Sequence, residues 1–331
     1  MSKFTVPKIK EPIQLALPTL DELNTISKII TPYVRHTPCC QMHISNTQLD
    51  LWAKMEIWQK SGSFKIRGAL YSLLQLSKEE KAAGVITASA GNHALALSLA
   101  AQRFNIPVTV LMPRQADPQR VELCRQAGAA IILEDSFQAL FHQLKVTQQQ
   151  KGLTLVHPYD GENITIATAT LGLEISQQLP DLDALVVAIG GGGLLSGVSY
   201  TMKLLQPACK IYGVEPEGAP TMHNSFAQGK CVQLDTIDTI AQSLSAPETK
   251  TLGYSVCSHY VDAIVTVSDH QITDAMQVLF KDMKLAVEPA AAASLAAIMG
   301  PLKDTLNQQR VGFILCGSNM SLDEFQKYLA K

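Results

Sequence analysis

Short runs of apolar and β-branched residues alternate along the chain with longer stretches of helical periodicity. Val85–Thr87 is followed by a helical stretch over Asn92–Phe104, and Val108–Met112 by one over Asp117–Gln126. The alternation continues through Ala130–Leu133, a further helix and Leu153–Val156. It then runs through Ala184–Ile189, Ile211–Val214, Ala263–Val267 and Gly312–Leu315. A strand buried on both sides has no polar face to show, so continuous apolar strands separated by helices predict a parallel sheet covered on both faces. The fold class is therefore α/β, two-lobed, with twisted parallel sheets. The strand units between Gly84 and Val156 predict an inserted small domain over 84–156, and the flanks, 1–83 with 157–331, a large one. A cleft between two such lobes is a usual place for a ligand.

Composition narrows the function classes. The 331 residues are 47% apolar and 17% charged, with a formal net charge of −2. That is a soluble globular balance, and no basic stripe or acidic block invites nucleic acid or an anionic membrane. The first ten residues carry lysines with no apolar run behind them, so no secretory signal is expected. Ala184–Met202 has nearly the length of a membrane span, but four glycines at its centre would break a lipid-exposed helix. Seven cysteines form no CxxC pair, which predicts reduced thiols and a cytoplasmic location. A small molecule is the expected partner.

Four motifs carry chemistry. In Ser61-Gly62-Ser63-Phe64-Lys65-Ile66-Arg67-Gly68-Ala69, a lysine stands between an aromatic residue and a helix start. It reads as a solvated lysine or as one that forms an imine with a cofactor aldehyde. Ala88-Ser89-Ala90-Gly91-Asn92-His93-Ala94 follows a strand, where N–H groups at a helix N-terminus bind a carboxylate or simply make a capped turn. Gly190, Gly191, Gly192 and Gly193, followed by Leu194, let main-chain N–H groups close around a phosphate with the helix dipole behind them. A dinucleotide GxGxxG does not fit this run, and no Walker lysine follows it. Leu315-Cys316-Gly317-Ser318-Asn319 ends the last strand; alone it reads as a buried thiol and a turn.

Together, in this order, the four motifs resemble the fold-type II pyridoxal-phosphate enzymes, whose architecture is that of the tryptophan synthase β chain. The branch of serine/threonine dehydratases and serine racemases is the most similar. Lys54-Met55-Glu56, Gly213-Val214-Glu215-Pro216 and Val287-Glu288-Pro289-Ala290 extend the likeness. The resemblance implies pyridoxal 5'-phosphate held by Lys65, with Phe64 against its ring and Asn92 on its phenolic oxygen. Gly190 to Gly193 and Leu194 would hold the phosphate, Cys316 would meet the ring nitrogen, and Glu288 would complete the cofactor set. Ser89, Ala90, Gly91, Asn92 and His93 would receive the substrate, with a satisfied helix-start histidine as the other reading of His93.

Lys65 would also take the α-proton, so the resemblance implies β-elimination from a 3-hydroxy amino acid such as L-threonine or L-serine, giving a 2-oxo acid and ammonia. A racemase is the alternative, although its family motif has serine at the place of Ala90. A non-catalytic amino-acid-binding protein is the reading from another class, and Lys65 beside a phosphate loop argues against it. Several positions depart from the family pattern. Leu95 replaces a usual Gln, Ala167-Thr168-Ala169-Thr170 a common Gly-Gln-Gly-Thr, and Gln242-Ser243 a usual Asp-Gly. The cation site of some relatives uses a glutamate, a carbonyl and an aspartate. Here Glu215, Ala219 and Thr221 hold those places, so no metal is expected. The chain ends twelve residues after Asn319, which predicts no regulatory domain of the biosynthetic threonine dehydratase kind. A homo-oligomer is expected by the same resemblance.

Overall fold

The structure is a computed structural model and describes residues 4–10, 12–13, 15–45 and 49–329. Its strands are β1 (Phe4–Thr5), β2 (Cys39–Gln41), β3 (Asp50–Lys54), β4 (Val85–Ala88), β5 (Val108–Pro113) and β6 (Ala130–Glu134). There follow β7 (Thr154–Leu155), β8 (Ala184–Ala188), β9 (Lys210–Pro216), β10 (Ala263–Val267) and β11 (Arg310–Ile314). They form two sheets, a seven-stranded one in the order β1-β10-β9-β8-β11-β3-β2 and a four-stranded one in the order β6-β5-β4-β7. The smaller sheet comes from one continuous stretch, and strands on either side of that stretch build the larger.

The smaller sheet is parallel throughout, as is the centre of the larger one. The all-parallel expectation fails at the margins, where β1 pairs with β10 and β2 with β3 antiparallel. These edge strands are two and three residues long and lie outside the strand–helix alternation. The sequence pattern also missed β3. Asp50-Leu51-Trp52-Ala53-Lys54 has charged ends, and its Lys54 is fully buried in the structure.

A fully buried ion network explains how that is possible. Arg67 makes two-pronged bonds to Glu56 (2.8 and 2.9 Å) and to Glu174 (2.7 and 2.9 Å). Lys54 Nζ donates to Glu174 at 2.6 Å and to the Thr37 carbonyl at 2.6 Å. Two cations face two carboxylates, so no charge is left buried alone. Burial by itself would raise the Glu56 pKa, but Arg67 beside it holds the carboxyl below its ordinary value.

Helix Lys65–Leu74 carries Arg67 and lies where the hydrophobic cores meet. Ile66, Ala69, Leu70 and Leu73 pack into the smaller sheet's core with Ala94, Ala96 and Leu97 of helix Asn92–Phe104. Leu171 and Ile175 of helix Glu162–Gln178, which supplies Glu174, belong to the larger sheet's core. Helix starts at Lys65, Asn92 and Gly193 bring the sequence motifs to this junction.

Candidate active site

The lysine motif is built onto the end of the central strand β11. Ser63 bridges antiparallel to Gly317, and the Phe64 N–H donates to the Cys316 carbonyl at 3.0 Å. Ser318 N–H bonds the Gly62 carbonyl at 2.9 Å, and Asn319 Nδ2 the Ser61 carbonyl at 2.6 Å. Two motifs some 250 positions apart in the chain are thus one piece of backbone structure.

Lys65 opens its helix partly buried, with Nζ 5.1 Å from the centre of the Phe64 ring. Among the described residues no carboxylate pairs with it; Nζ donates to the carbonyl of Pro158. Burial lowers its pKa to about 8, while Cys316 and Glu288 pull the other way. A neutral amine is therefore accessible near physiological pH, as an amine that must attack an aldehyde requires. Cys316 is buried, and burial pushes its thiol well above the ordinary range, so it stays neutral.

The glycine run forms an open nest of donors. Gly192 takes φ of 95°, which an L side chain rarely adopts, and caps helix Gly193–Leu205. The main-chain N–H groups of Gly190, Gly191, Gly192, Gly193 and Leu194 have no hydrogen-bond partner among the described residues. A Cβ on Gly191 would run into the Tyr159 ring. Unsatisfied donors converging on a helix N-terminus are the chemistry that binds a phosphate dianion. The helix behind them is fixed by Thr168, whose hydroxyl donates to the Gly193 carbonyl at 2.8 Å. That departure from the family pattern is buried and serves helix packing.

A second nest lies at Ser89–His93. The Gly91 N–H donates to Ser89 Oγ at 3.3 Å, whereas those of Ala90, Asn92 and His93 have no partner among the described residues. His93 is buried, and its Nε2 donates to the Val156 carbonyl at 3.1 Å, which places the ring proton on that nitrogen. Burial, then the nearby Lys65, lowers its pKa to about 3, so the ring is neutral. Asn92 is held from three sides: Nδ2 donates to Glu288 at 2.6 Å and Ser243 at 3.3 Å, and Oδ1 accepts from Asn319 at 2.8 Å. Burial raises the Glu288 pKa to about 7 against the opposing pull of Asn92 and Arg120. A narrow cleft opens beside this group, lined by Arg120, Gln242, Ser243, Glu288 and Met320.

Sequence reasoning passed over His157–Asp160. This segment joins both ends of the site, since Pro158 accepts from Lys65 while the Tyr159 ring lies against Gly191. His157 Nδ1 accepts from the N–H groups of Tyr159 (3.3 Å) and Asp160 (3.0 Å), which leaves its proton on Nε2. A carbonyl and a ring edge leave no motif, although a His-Pro pair just past a strand end was a usable signal. The cation position of some relatives is occupied differently here. The buried Glu215 carboxyl accepts from Met222 N–H (2.8 Å) and His223 N–H (2.7 Å), and Thr221 Oγ1 donates to the Ala246 carbonyl at 2.8 Å. Glu215 thus answers first-turn N–H groups of helix Thr221–Gln228, while the Thr221 hydroxyl is given to a loop carbonyl.

The pyridoxal-phosphate-dependent enzyme family profile matches residues 30–317. The chain is 43% identical over 323 residues to a phenylserine dehydratase of Ralstonia pickettii, covering 96% of this chain and 98% of that one. It is 34% identical to an L-threonine ammonia-lyase of Thermotoga maritima, covering 95% and 78%. The solved structure of maize serine racemase superposes with a TM-score of 0.89 at 34% identity, covering 96% and 98%. The chain belongs to the pyridoxal-phosphate-dependent enzymes, in their fold-type II architecture. Its cofactor is pyridoxal 5'-phosphate, and a phosphate nest joined through Tyr159 and Pro158 to a partly buried, low-pKa lysine fits that group. Hydroxy-amino-acid dehydratases and ammonia-lyases, together with serine racemases, are its relatives. Among the described residues no helix is long and apolar enough to cross a membrane.

Proposed function

We propose that the protein is a β-eliminating ammonia-lyase that converts a small L-3-hydroxy amino acid, such as threonine, serine or an aryl homologue, to a 2-oxo acid and ammonia. One observation carries the reading: Lys65, bonded to the Pro158 carbonyl and with a pKa lowered to about 8 by burial, lies between a phosphate-ready and a carboxylate-ready set of N–H groups. Bound pyridoxal 5'-phosphate supplies the electron sink that makes the α-proton of an amino acid removable. Lys65 would hold the cofactor's aldehyde carbon, and its neutral amine is the base placed to take that proton. Gly190 to Gly193 and Leu194 would hold the phosphate, and Phe64 would pack on the ring. The neutral Cys316 thiol would meet the ring nitrogen, and Asn92, held by Glu288, would bond the phenolic oxygen. The N–H groups of Ala90, Asn92 and His93, with the Ser89 hydroxyl, orient the substrate carboxylate.

Ala90 bears on the racemase alternative. Racemisation needs an acid on the face opposite Lys65, and a methyl group has no proton to give. The wild type is expected to form 2-oxo acid from threonine, serine or phenylserine with little D-amino acid. Ala90→Ser is expected to add measurable racemisation of L-serine. A substrate panel read by 2-oxo acid release and chiral chromatography tests both; abundant D-serine from the wild type would overturn the lyase reading. Division into 1–83 with 157–331 and an inserted 84–156 belongs to the same proposal, supported by the two separate sheets. So do a cytoplasmic setting, supported by seven free thiols, and a homo-oligomeric assembly.

A further inference from the structure

An asparagine side chain has two N–H donors, and in Asn92 both are already engaged by protein acceptors. One meets the Glu288 carboxyl at 2.6 Å; the other meets the Ser243 hydroxyl at 3.3 Å. Holding the cofactor's phenolic oxygen requires one of the two. The bonds are unequal, since the first is short, buried and made to a carboxyl, whereas the second is long and made to a neutral hydroxyl on an exposed residue. Ser243 is therefore the partner that gives way. Its place fits that part, because its carbonyl also lies beside Gly190, 3.1 Å from where a Cβ would stand. Asn92 cannot swing away on release, because Glu288 and the Asn319 amide still hold it.

We propose that Ser243 is a positioning residue that holds the second amide proton of Asn92 in the free protein, competes with pyridoxal phosphate for it, and so weakens cofactor binding. This rests on the role given to Asn92 above. The test titrates apoprotein with pyridoxal 5'-phosphate and reads the dissociation constant from tryptophan fluorescence and the cofactor's absorbance. Ser243→Ala and Ser243→Gly are expected to lower Kd about two- to tenfold, the range for losing one competing neutral hydrogen bond. Ser243→Thr, which keeps a hydroxyl, is expected to bind as the wild type does. Damage to the loop would weaken binding, so tightening separates competition from a structural role. An unchanged or higher Kd in both the Ala and Gly variants overturns the proposal. Asn92→Ala serves as the control: if it changes neither Kd nor the pH dependence of the absorbance band, the role of Asn92 itself falls, and this proposal with it. If Asn92→Ala alters both while the Ser243 variants alter nothing, only the Ser243 proposal fails.

Discussion

Lys65 shows how one residue's surroundings set its chemistry. It has a carbonyl for a partner instead of a carboxylate, and burial lowers its pKa to about 8. Only the neutral amine attacks an aldehyde. Cofactor uptake by the apoprotein is therefore expected to speed up about tenfold per pH unit well below 8 and to level off above it. Stopped-flow absorbance across pH 6 to 10 checks this, and a rate that is flat from 6 to 8 would show that the amine titrates elsewhere. In Lys65→Ala no cofactor should remain attached after borohydride. The lysine was legible in the sequence because residue type and neighbours carry the signal. Its carbonyl partner was not, since any residue at 158 presents one.

At the scale of elements, what could be read depended on whether polarity was satisfied locally. β8, β10 and helix Asn92–Phe104 were legible because their burial shows in an unbroken apolar run or a helical period. β3 was hidden because Lys54 is neutralised by Glu174, which lies 120 positions away. Helix Thr221–Gln228 shows the same dependence on distant partners. Its first-turn N–H groups are answered by Glu215 on β9, a buried carboxyl whose pKa burial raises to about 8. Both of its oxygens accept from backbone N–H groups, and Thr221 brings a hydroxyl where a second carboxylate would be needed, a poor set for magnesium or calcium. EDTA is expected to leave turnover of the holoenzyme mostly intact. Severe loss on chelation, reversed by either cation, would mean that other residues complete a site.

Across the whole molecule, the Arg67 network fastens helix Lys65–Leu74 to helix Glu162–Gln178 and to β3, where the cores meet. Removing one partner of a buried ion network leaves uncompensated charge, at about 3–5 kcal/mol. Arg67→Ala should lose stability of that order in urea unfolding of the apoprotein, and a loss below about 1 kcal/mol would show that water reaches the site. β11 has a consequence of another kind. It enters the middle of its sheet, between β8 and β3, and is made after every other strand. Its end also supplies the backbone that holds Ser63 and Phe64. During synthesis, which runs from the N-terminus, Lys65 leaves the ribosome early but has no fixed position until residues near 317 follow. A nascent chain therefore cannot assemble its cofactor pocket around Lys65 before residues near 317 have been made and have joined the sheet.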